Sequence, residues 1–184
     1  MAKLPTIHKT EVVAQSNLFR VEALDLEFSN GEQRTFERLA GRGYGAVLVV
    51  PMLDDDTILM IREYAAGTER YELGLPKGKV DAGETIIEAA NRELMEEVGY
   101  GAEDIRLLKS VSLAPGYMGH RTNLLLARKL YPARLEGDEP EPLEVVPWKL
   151  SELDKLVAMD ECSEGRSLLA LYMVRDILAG ERVE

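Results

Sequence analysis

The stretch that decides the fold is GKVDAGETIIEAANRELMEEVGY, residues 78–100, which carries six acidic and two basic residues in 23 positions. Its apolar residues recur with a period near 3.6, which predicts an α-helix over 84–98. Glu93, Glu96 and Glu97 stand at i, i+3 and i+4, so their side chains project from one helix turn. The sequence therefore concentrates negative charge on one short surface.

The apolar side of this predicted helix indicates how it packs. One stripe, expected to meet a core, contains Ile87, Ala90, Leu94 and Val98. Gly99 follows the last stripe residue and is predicted to end the helix as a left-handed C′ residue. The acidic residues border the stripe, so they are expected beside the core and not on the opposite, solvated face.

The three clustered glutamates admit two interpretations. Like charges at this spacing cost a few tenths of a kcal/mol per pair, which a solvated surface helix tolerates. Converging carboxylate oxygens are also the ligands that Mg²⁺ or Mn²⁺ prefers. Glu84 at the helix start and Arg92 beside Glu93 favour the metal interpretation. We therefore expect bound cations to neutralise the repulsion.

This pattern resembles the complete Nudix box. Gly78 is followed after five residues by Glu84, and after seven more by Arg92, Glu93, Leu94, Met95, Glu96, Glu97, Val98, Gly99 and Tyr100. Every fixed position of G-x5-E-x7-R-E-U-x-E-E-x-G-U is present, with Tyr100 where an aliphatic residue is commoner. The resemblance implies an α/β fold, a Nudix-type α/β/α sandwich with a mixed sheet.

The same resemblance implies roles for the box residues. Glu93 and Glu97 are expected to be the principal ligands of two or three Mg²⁺ or Mn²⁺ ions, and Glu96 a further ligand or a group that orients water. Arg92 is expected to hold Glu84 and the other glutamates in place. The backbone carbonyl of Lys77, before Gly78, is an expected further ligand, although relatives often carry a small residue there.

Further residues resemble the ADP-ribose pyrophosphatase branch of this superfamily. Pro115 lies where a proline is associated with ADP-ribose specificity, and Tyr117 near a tyrosine of diadenosine-polyphosphate hydrolases. The acidic segment 135–148 resembles the loop that supplies a late catalytic glutamate, either Glu139, which we favour, or Glu141. This branch implies metal-dependent cleavage of ADP-ribose, NADH and short diadenosine polyphosphates, with release of AMP.

Two arginines are candidates for gripping the diphosphate or the adenine. Guanidinium forks match phosphate oxygens, and Arg38 and Arg62 lie in predicted strands on either side of residues 41–45. Each of them could equally be a partner in a surface ion pair.

The composition excludes several other classes of function. The 184 residues carry a formal net charge of −11, which argues against nucleic-acid or anionic-membrane binding because both need a basic patch. A single cysteine permits no internal disulfide, and no apolar run reaches the length of a membrane span. A cytoplasmic enzyme with a small nucleotide substrate is the expectation.

The chain is predicted to contain two parts. Residues 1–41 form a small β segment, with strands near 7–14, 19–28 and 33–39, and residues 42–184 form the Nudix domain. The remaining predicted elements are strands near 46–53, 57–64, 105–114, 121–131 and 143–148 and helices near 151–159 and 164–179. A three-stranded segment buries little surface alone, and the resemblance implies that it builds a homodimer.

Two rival functions remain. One is hydrolysis of GDP-mannose or another nucleotide sugar by the same fold. The other, of a different class, is a non-catalytic module that senses ADP-ribose. A sensing module is expected to lose box glutamates, and this chain retains all of them.

Overall fold

The structure is a computed structural model that describes residues 3–41 and 43–181. Its ten strands in these ranges are β1 (Thr6–Gln15), β2 (Arg20–Glu27), β3 (Gln33–Leu39), β4 (Ala46–Pro51), β5 (Thr57–Ala65), β6 (Arg70–Gly74), β7 (Lys77–Lys79), β8 (Tyr100–Ser112), β9 (Arg121–Pro132) and β10 (Glu144–Lys149). The helices are α1 (Ile86–Glu97), α2 (Leu153–Leu156), preceded by a 3₁₀ turn at Leu150–Glu152, and α3 (Gly165–Glu181). None of the described helices combines the length and apolar content needed to cross a bilayer.

The described residues group into two compact units. The first contains residues 3–41 and 112–121, and the second contains residues 43–111 and 122–181. The segment 112–121 thus belongs with the N-terminal strands, whereas the sequence prediction assigns it to the Nudix domain. It does so because the backbone N–H of Leu39 donates to the carbonyl of Tyr117 (2.8 Å), and Met118 forms a bridge with Leu39.

The first unit is an antiparallel meander in the order β1-β2-β3. The turn between β2 and β3 contains Gly31, whose φ of 84° favours glycine, and the side chain of Asn30 accepts from the N–H of Glu32. The turn at residues 29–31 therefore joins β2 and β3 as a hairpin. All ten residues of β1 are exposed, including its apolar ones.

The second unit contains two small sheets. One has the order β10-β5-β6, with antiparallel pairing throughout, and the other has the order β7-β4-β9-β8. Strands β4 and β9 run parallel, while β4 and β7 run antiparallel, so the second sheet is mixed. This agrees with the mixed sheet that the sequence predicts.

Two apolar cores show how the helices cover these sheets. Alternate residues of β4, β5 and β9 point to opposite sides, because successive side chains of a strand alternate. One core joins Leu48, Met60 and Leu124 to α2 and α3. The other joins Val49 and Leu59 to α1, through the residues Ala89, Ala90, Leu94 and Val98. Helices therefore lie on both sides of the strands, and the predicted α/β/α layering is confirmed.

Helix α1 begins at a capping box. Thr85 is the N-cap, its hydroxyl accepts from the N–H of Glu88, and the Glu88 carboxylate accepts from the N–H of Thr85. The helix therefore begins two residues later than predicted. Gly99 has φ of 76°, which confirms the left-handed residue expected at its end.

The prediction is wrong for one residue of the apolar stripe. Ile87 is 39% exposed, whereas Ala89 is fully buried and Ile86 packs against the core. The buried face of α1 is therefore rotated toward Ala89, and this rotation also buries Glu93 and Glu97, four and eight residues further on.

Three further differences arise from short elements. Strands β6 and β7 were not predicted, because five and three residues are too few for a legible alternation. The helix predicted over 151–159 is reduced to a 3₁₀ turn and four α-helical residues. The hydroxyl of Ser151 donates to Asp56 (2.8 Å) in the turn between β4 and β5.

Candidate metal and catalytic site

Arg92 connects the acidic residues of the box through hydrogen bonds. A guanidinium has five N–H donors, and in Arg92 they make five hydrogen bonds. Two go to Glu84 (2.8 and 3.0 Å), one to Glu93 Oε1 (2.7 Å), one to Glu96 Oε2 (3.0 Å) and one to the carbonyl of Lys79 (2.9 Å). The guanidinium therefore spaces three carboxylates and ties them to strand β7.

Glu93 and Glu97 are the buried acids of the site. They are only 8% and 6% exposed, one helix turn apart on the face of α1 that meets the sheet. Burial raises the pKa of Glu93, and it raises the pKa of Glu97 to about 8. A carboxyl in such a place needs a cation or a proton, because an unpaired buried charge is costly.

The residues before the helix shape the space around these acids. The backbone N–H of Lys77 donates to Glu97 Oε2 (2.8 Å). Next to it, Gly78 has no side chain, and a Cβ at this position would overlap the Glu93 carboxylate. Position 78 thus requires glycine because the Glu93 carboxylate approaches the backbone closely, and not because the chain turns there. The Lys77 side chain forms an ion pair with Glu63 of β5.

The loop between β9 and β10 borders the side of the site opposite the box helix. Two adjoining cavities of about 540 and about 600 Å³ share Glu93, Glu96 and loop residues 136–139; we call them together the box cleft. Glu139 lies in this loop, and burial raises the pKa of its carboxyl. Glu141 also borders the cleft, but its carboxylate accepts from the hydroxyl of Tyr71 (2.6 Å).

These residues fit hard divalent cations. Within residues 3–41 and 43–181, no three carboxylate, thiol or imidazole groups converge as a preformed cage; Arg92 holds one oxygen each of Glu93 and Glu96. The available donors are nonetheless all oxygens, two of the acids are buried, and Gly78 leaves room beside them. Buried oxygen donors with excess negative charge suit Mg²⁺ or Mn²⁺.

Arg62 forms ion pairs, the alternative role that the sequence leaves open for it. Its guanidinium forms a two-pronged ion pair with Glu161 (3.0 and 3.1 Å) and a further ion pair with Glu144. To bind a phosphate it would have to release these carboxylates. The structure therefore makes Arg62 a link between β5, β10 and the segment before α3.

The other predicted substrate residues lie in the first unit. Arg38 forms an ion pair with Glu22 (2.9 Å), across the β2–β3 register. Pro115 begins a turn that is closed by hydrogen bonds from the N–H groups of Tyr117 and Met118 to the carbonyl of Ala114 (3.1 and 2.8 Å). The Tyr117 side chain is exposed. The role of these residues in binding stays a prediction.

Sequence reasoning missed two residues that contact the site. Glu63 lies in the largely apolar strand TILMIREY, and Tyr71 in the unpredicted strand β6. Neither belongs to the Nudix box, so only the folded sheet shows that Glu63 meets Lys77 and that Tyr71 meets Glu141.

Comparison with known proteins agrees with this geometry. Residues 44–172 match the NUDIX domain family, with the box helix and the cleft inside the match. The chain belongs to the Nudix hydrolase family. Residues 5–38 of this Nudix hydrolase match the NudE-type Nudix hydrolase N-terminal domain.

Individual relatives cover nearly the whole Nudix hydrolase. It is 52% identical over 177 residues to ADP compounds hydrolase NudE of Escherichia coli (strain K12), covering 96% of this chain and 95% of that protein. It is 29% identical over 172 residues to ADP-ribose pyrophosphatase of Bacillus subtilis (strain 168), covering 90% and 92%. A crystal structure of ADP compounds hydrolase matches with a TM-score of 0.93 at 50% identity, covering 98% and 97%.

The resemblance seen in the sequence is thereby confirmed. It extends from the box to the ADP-ribose pyrophosphatase branch. Through VEALDLEFSNGEQRTFERL at 21–39 and YELGLPKG at 71–78, it extends to the bacterial ADP-compounds hydrolase.

Substitution of Gly78 tests the close approach in this Nudix hydrolase. In Gly78→Ala the new methyl group displaces the Glu93 carboxylate, a flexible side-chain end, so we expect the fold to persist. We expect metal-dependent turnover to fall by about 10²-fold or more, since catalysis depends on placement within an ångström. Steady-state kinetics and circular dichroism measure both effects.

The matched control is Gly67→Ala, where a Cβ meets nothing within 4 Å. Full activity of Gly78→Ala, or an equal loss in both variants, would contradict the close-approach interpretation.

The raised pKa of Glu97 predicts a pH dependence of stability in chelator-treated enzyme. Its folded value of about 8 lies above the usual 4.5, so the folded state holds the proton more tightly. The resulting stabilisation is complete below about pH 4.5 and is lost as the pH rises toward 8. The limiting slope is about 1.4 kcal/mol per pH unit.

Urea unfolding from pH 5 to 8 measures this slope, with Glu97→Gln as the non-titrating comparison. We expect the variant to have a flatter profile, and excess Mg²⁺ to flatten that of the parent, because ligand carboxylates bind metal when deprotonated. Identical profiles for parent and variant would show that Glu97 does not titrate in this window.

Proposed function

We infer that this Nudix hydrolase cleaves the diphosphate linkage of ADP compounds, such as ADP-ribose, NADH and short diadenosine polyphosphates, with release of AMP. The observation that carries this proposal is the intact box, in which Arg92 spaces Glu84, Glu93 and Glu96 beside the buried Glu97. The identity of 52% with an ADP compounds hydrolase over nearly the whole chain supports the substrate class. A sensing module has no need of the complete acidic set.

Four groups of the chain would hold the cations: the carboxylates of Glu93, Glu96 and Glu97 and the carbonyl of Lys77. Two or three Mg²⁺ or Mn²⁺ ions bound there would offset phosphate charge and lower the pKa of a bound water. Arg92 cannot serve the substrate, because its five donors are already used. Its role is to keep the acids spaced.

Glu139 is our candidate for the general base. It lines the box cleft together with Glu93 and Glu96, and partial burial raises the pKa of its carboxyl. Glu141 is less suited, since Tyr71 occupies its carboxylate. When water attacks phosphorus, Glu139 takes its proton, the anhydride P–O bond breaks, and ADP-ribose yields AMP and ribose 5-phosphate.

A substrate panel tests this function. With Mg²⁺ or Mn²⁺, we expect AMP from ADP-ribose, NADH and diadenosine polyphosphates, and little product from GDP-mannose, as resolved by ion-exchange chromatography. Glu97→Gln should lower kcat by several orders of magnitude, because it removes a buried anionic ligand without changing side-chain volume.

A preference for GDP-mannose would replace this proposal with the nucleotide-sugar alternative. Tight ADP-ribose binding without any turnover would support the sensing module.

We also propose that the enzyme is a homodimer built through the first unit. Strand β1 is an edge strand whose ten residues are all exposed, including the apolar Ile7, Val12 and Val13. An edge of this length and apolar content is a template for pairing with another chain. The match of residues 5–38 to a family of N-terminal domains supports a dedicated role for this segment.

Light scattering coupled to size exclusion tests the dimer. We expect about 41 kDa, twice the chain mass of 20.5 kDa. Val12→Lys/Val13→Lys should give monomers, because charges on an edge strand oppose pairing. Leu107→Lys, at an exposed apolar site of β8, is the control and should remain dimeric. A monomeric parent protein would refute the proposal.

A further inference from the structure

The box cleft is lined by four cationic residues, Lys77, Lys79, Arg92 and Arg134, among more numerous acids. All five donors of Arg92 are bonded to carboxylates and to the Lys79 carbonyl. A substrate diphosphate therefore has to find its protein cation elsewhere. Of the other three, Lys77 is the candidate, because it is partly buried beside the close-approach glycine and its N–H contacts Glu97, whereas Lys79 and Arg134 are exposed.

Glu63 orients the Lys77 ammonium but does not use all of its hydrogen-bond donors. An ammonium group has three donors, and among the described residues its hydrogen-bond acceptor is the Glu63 carboxylate. The Lys77 side chain is 29% exposed, and it lines the cleft together with Glu93 and Glu96. Donors remain for a second acceptor that enters from the cleft.

Lys77 lies between the two halves of the site. The backbone N–H of Lys77 donates to Glu97 (2.8 Å), and Lys77 lines one cavity together with Glu139. Glu97 belongs to the box helix and Glu139 to the loop across the cleft. The charge of Lys77 thus acts on both walls of the space where a diphosphate would lie.

We propose that the Lys77 ammonium binds a non-bridging oxygen of the substrate diphosphate and that Glu63 positions it for this contact. The assignment rests on the proposed function. Lysine binds phosphate as a compact point charge, and a charge-assisted hydrogen bond is stronger than a neutral one. Glu63 is a positioning residue, because it acts through Lys77 and does not line the cleft. The competing explanation is an ion pair that serves only to neutralise Glu63.

The test measures binding of a non-cleavable α,β-methylene analogue of ADP-ribose by calorimetry in excess Mg²⁺. Lys77→Met keeps the backbone carbonyl and N–H and removes the charge. We expect its Kd to rise about 10- to 100-fold, the range of one charge-assisted hydrogen bond. Lys77→Arg should remain within about fivefold, since it keeps a cation. Lys109→Met, at an exposed position of β8 outside the cleft, should change the Kd less than about twofold.

The double variant Lys77→Met/Glu63→Gln separates the two explanations. It removes both charges, so no unpaired carboxylate remains to disturb the fold. If Lys77 binds phosphate, the double variant is as weak a binder as Lys77→Met. If the pair is only structural, the double variant recovers parental affinity, and the proposal is wrong. Glu63→Gln alone should bind within about fivefold, because an amide oxygen still accepts from the ammonium.

Manganese binding without nucleotide, followed by electron paramagnetic resonance, is the second readout. Lys77→Met should retain parental Mn²⁺ affinity within about threefold, because the proposed contact is to phosphate. An Mn²⁺ loss that matches the loss of analogue binding would overturn the proposal, since Lys77 would then act on the metal site. If the parent enzyme binds the analogue but cleaves no ADP compound, the proposed function fails while the phosphate contact stands. Parental affinity in Lys77→Met would remove the phosphate contact and leave the proposed function intact.

Discussion

The site depends on offsetting the repulsion among carboxylates on one helix turn, and the Arg92 guanidinium offsets it. Its five donors reach Glu84, Glu93, Glu96 and the Lys79 carbonyl. A planar guanidinium can do this because it has five donors that point in fixed directions, whereas an ammonium has only three. The acids are consequently held in a fixed arrangement close to β7, with excess negative charge that favours divalent cations.

The second constraint is space beside the sheet. Glu93 and Glu97 are buried because α1 rests on the core through Ala89 and Ala90, whose small side chains allow close packing. Gly78 then removes the one Cβ that would occupy the position of the Glu93 carboxylate. Across the cleft, the loop is anchored at Met95 by the N–H of Leu135 (3.1 Å) and at Tyr71 through Glu141. These anchors position Glu139.

Local sequence determined much of this protein. The spacing of Gly78, Glu84 and the segment 92–99 identifies a Nudix box, and the helix formed within two residues of its predicted start. The alternation in residues 20–27 and the turn at 29–31 likewise yield β2 and its hairpin. These features are legible because helical period, strand alternation and turn chemistry act over a few neighbouring residues.

Tertiary structure alone decided the partners that are far apart in the chain. Lys77 meets Glu63, 14 residues away, and Arg62 meets Glu161, 99 residues away, although nothing in the spacing of either pair indicates contact. Ile87 is exposed and Ala89 is buried because the sheet sets the rotation of α1, and segment 112–121 joins the N-terminal unit through a backbone contact with Leu39. Periodicity specifies which kind of face an element carries, whereas long-range packing specifies what that face meets, because such contacts depend on how all the elements assemble.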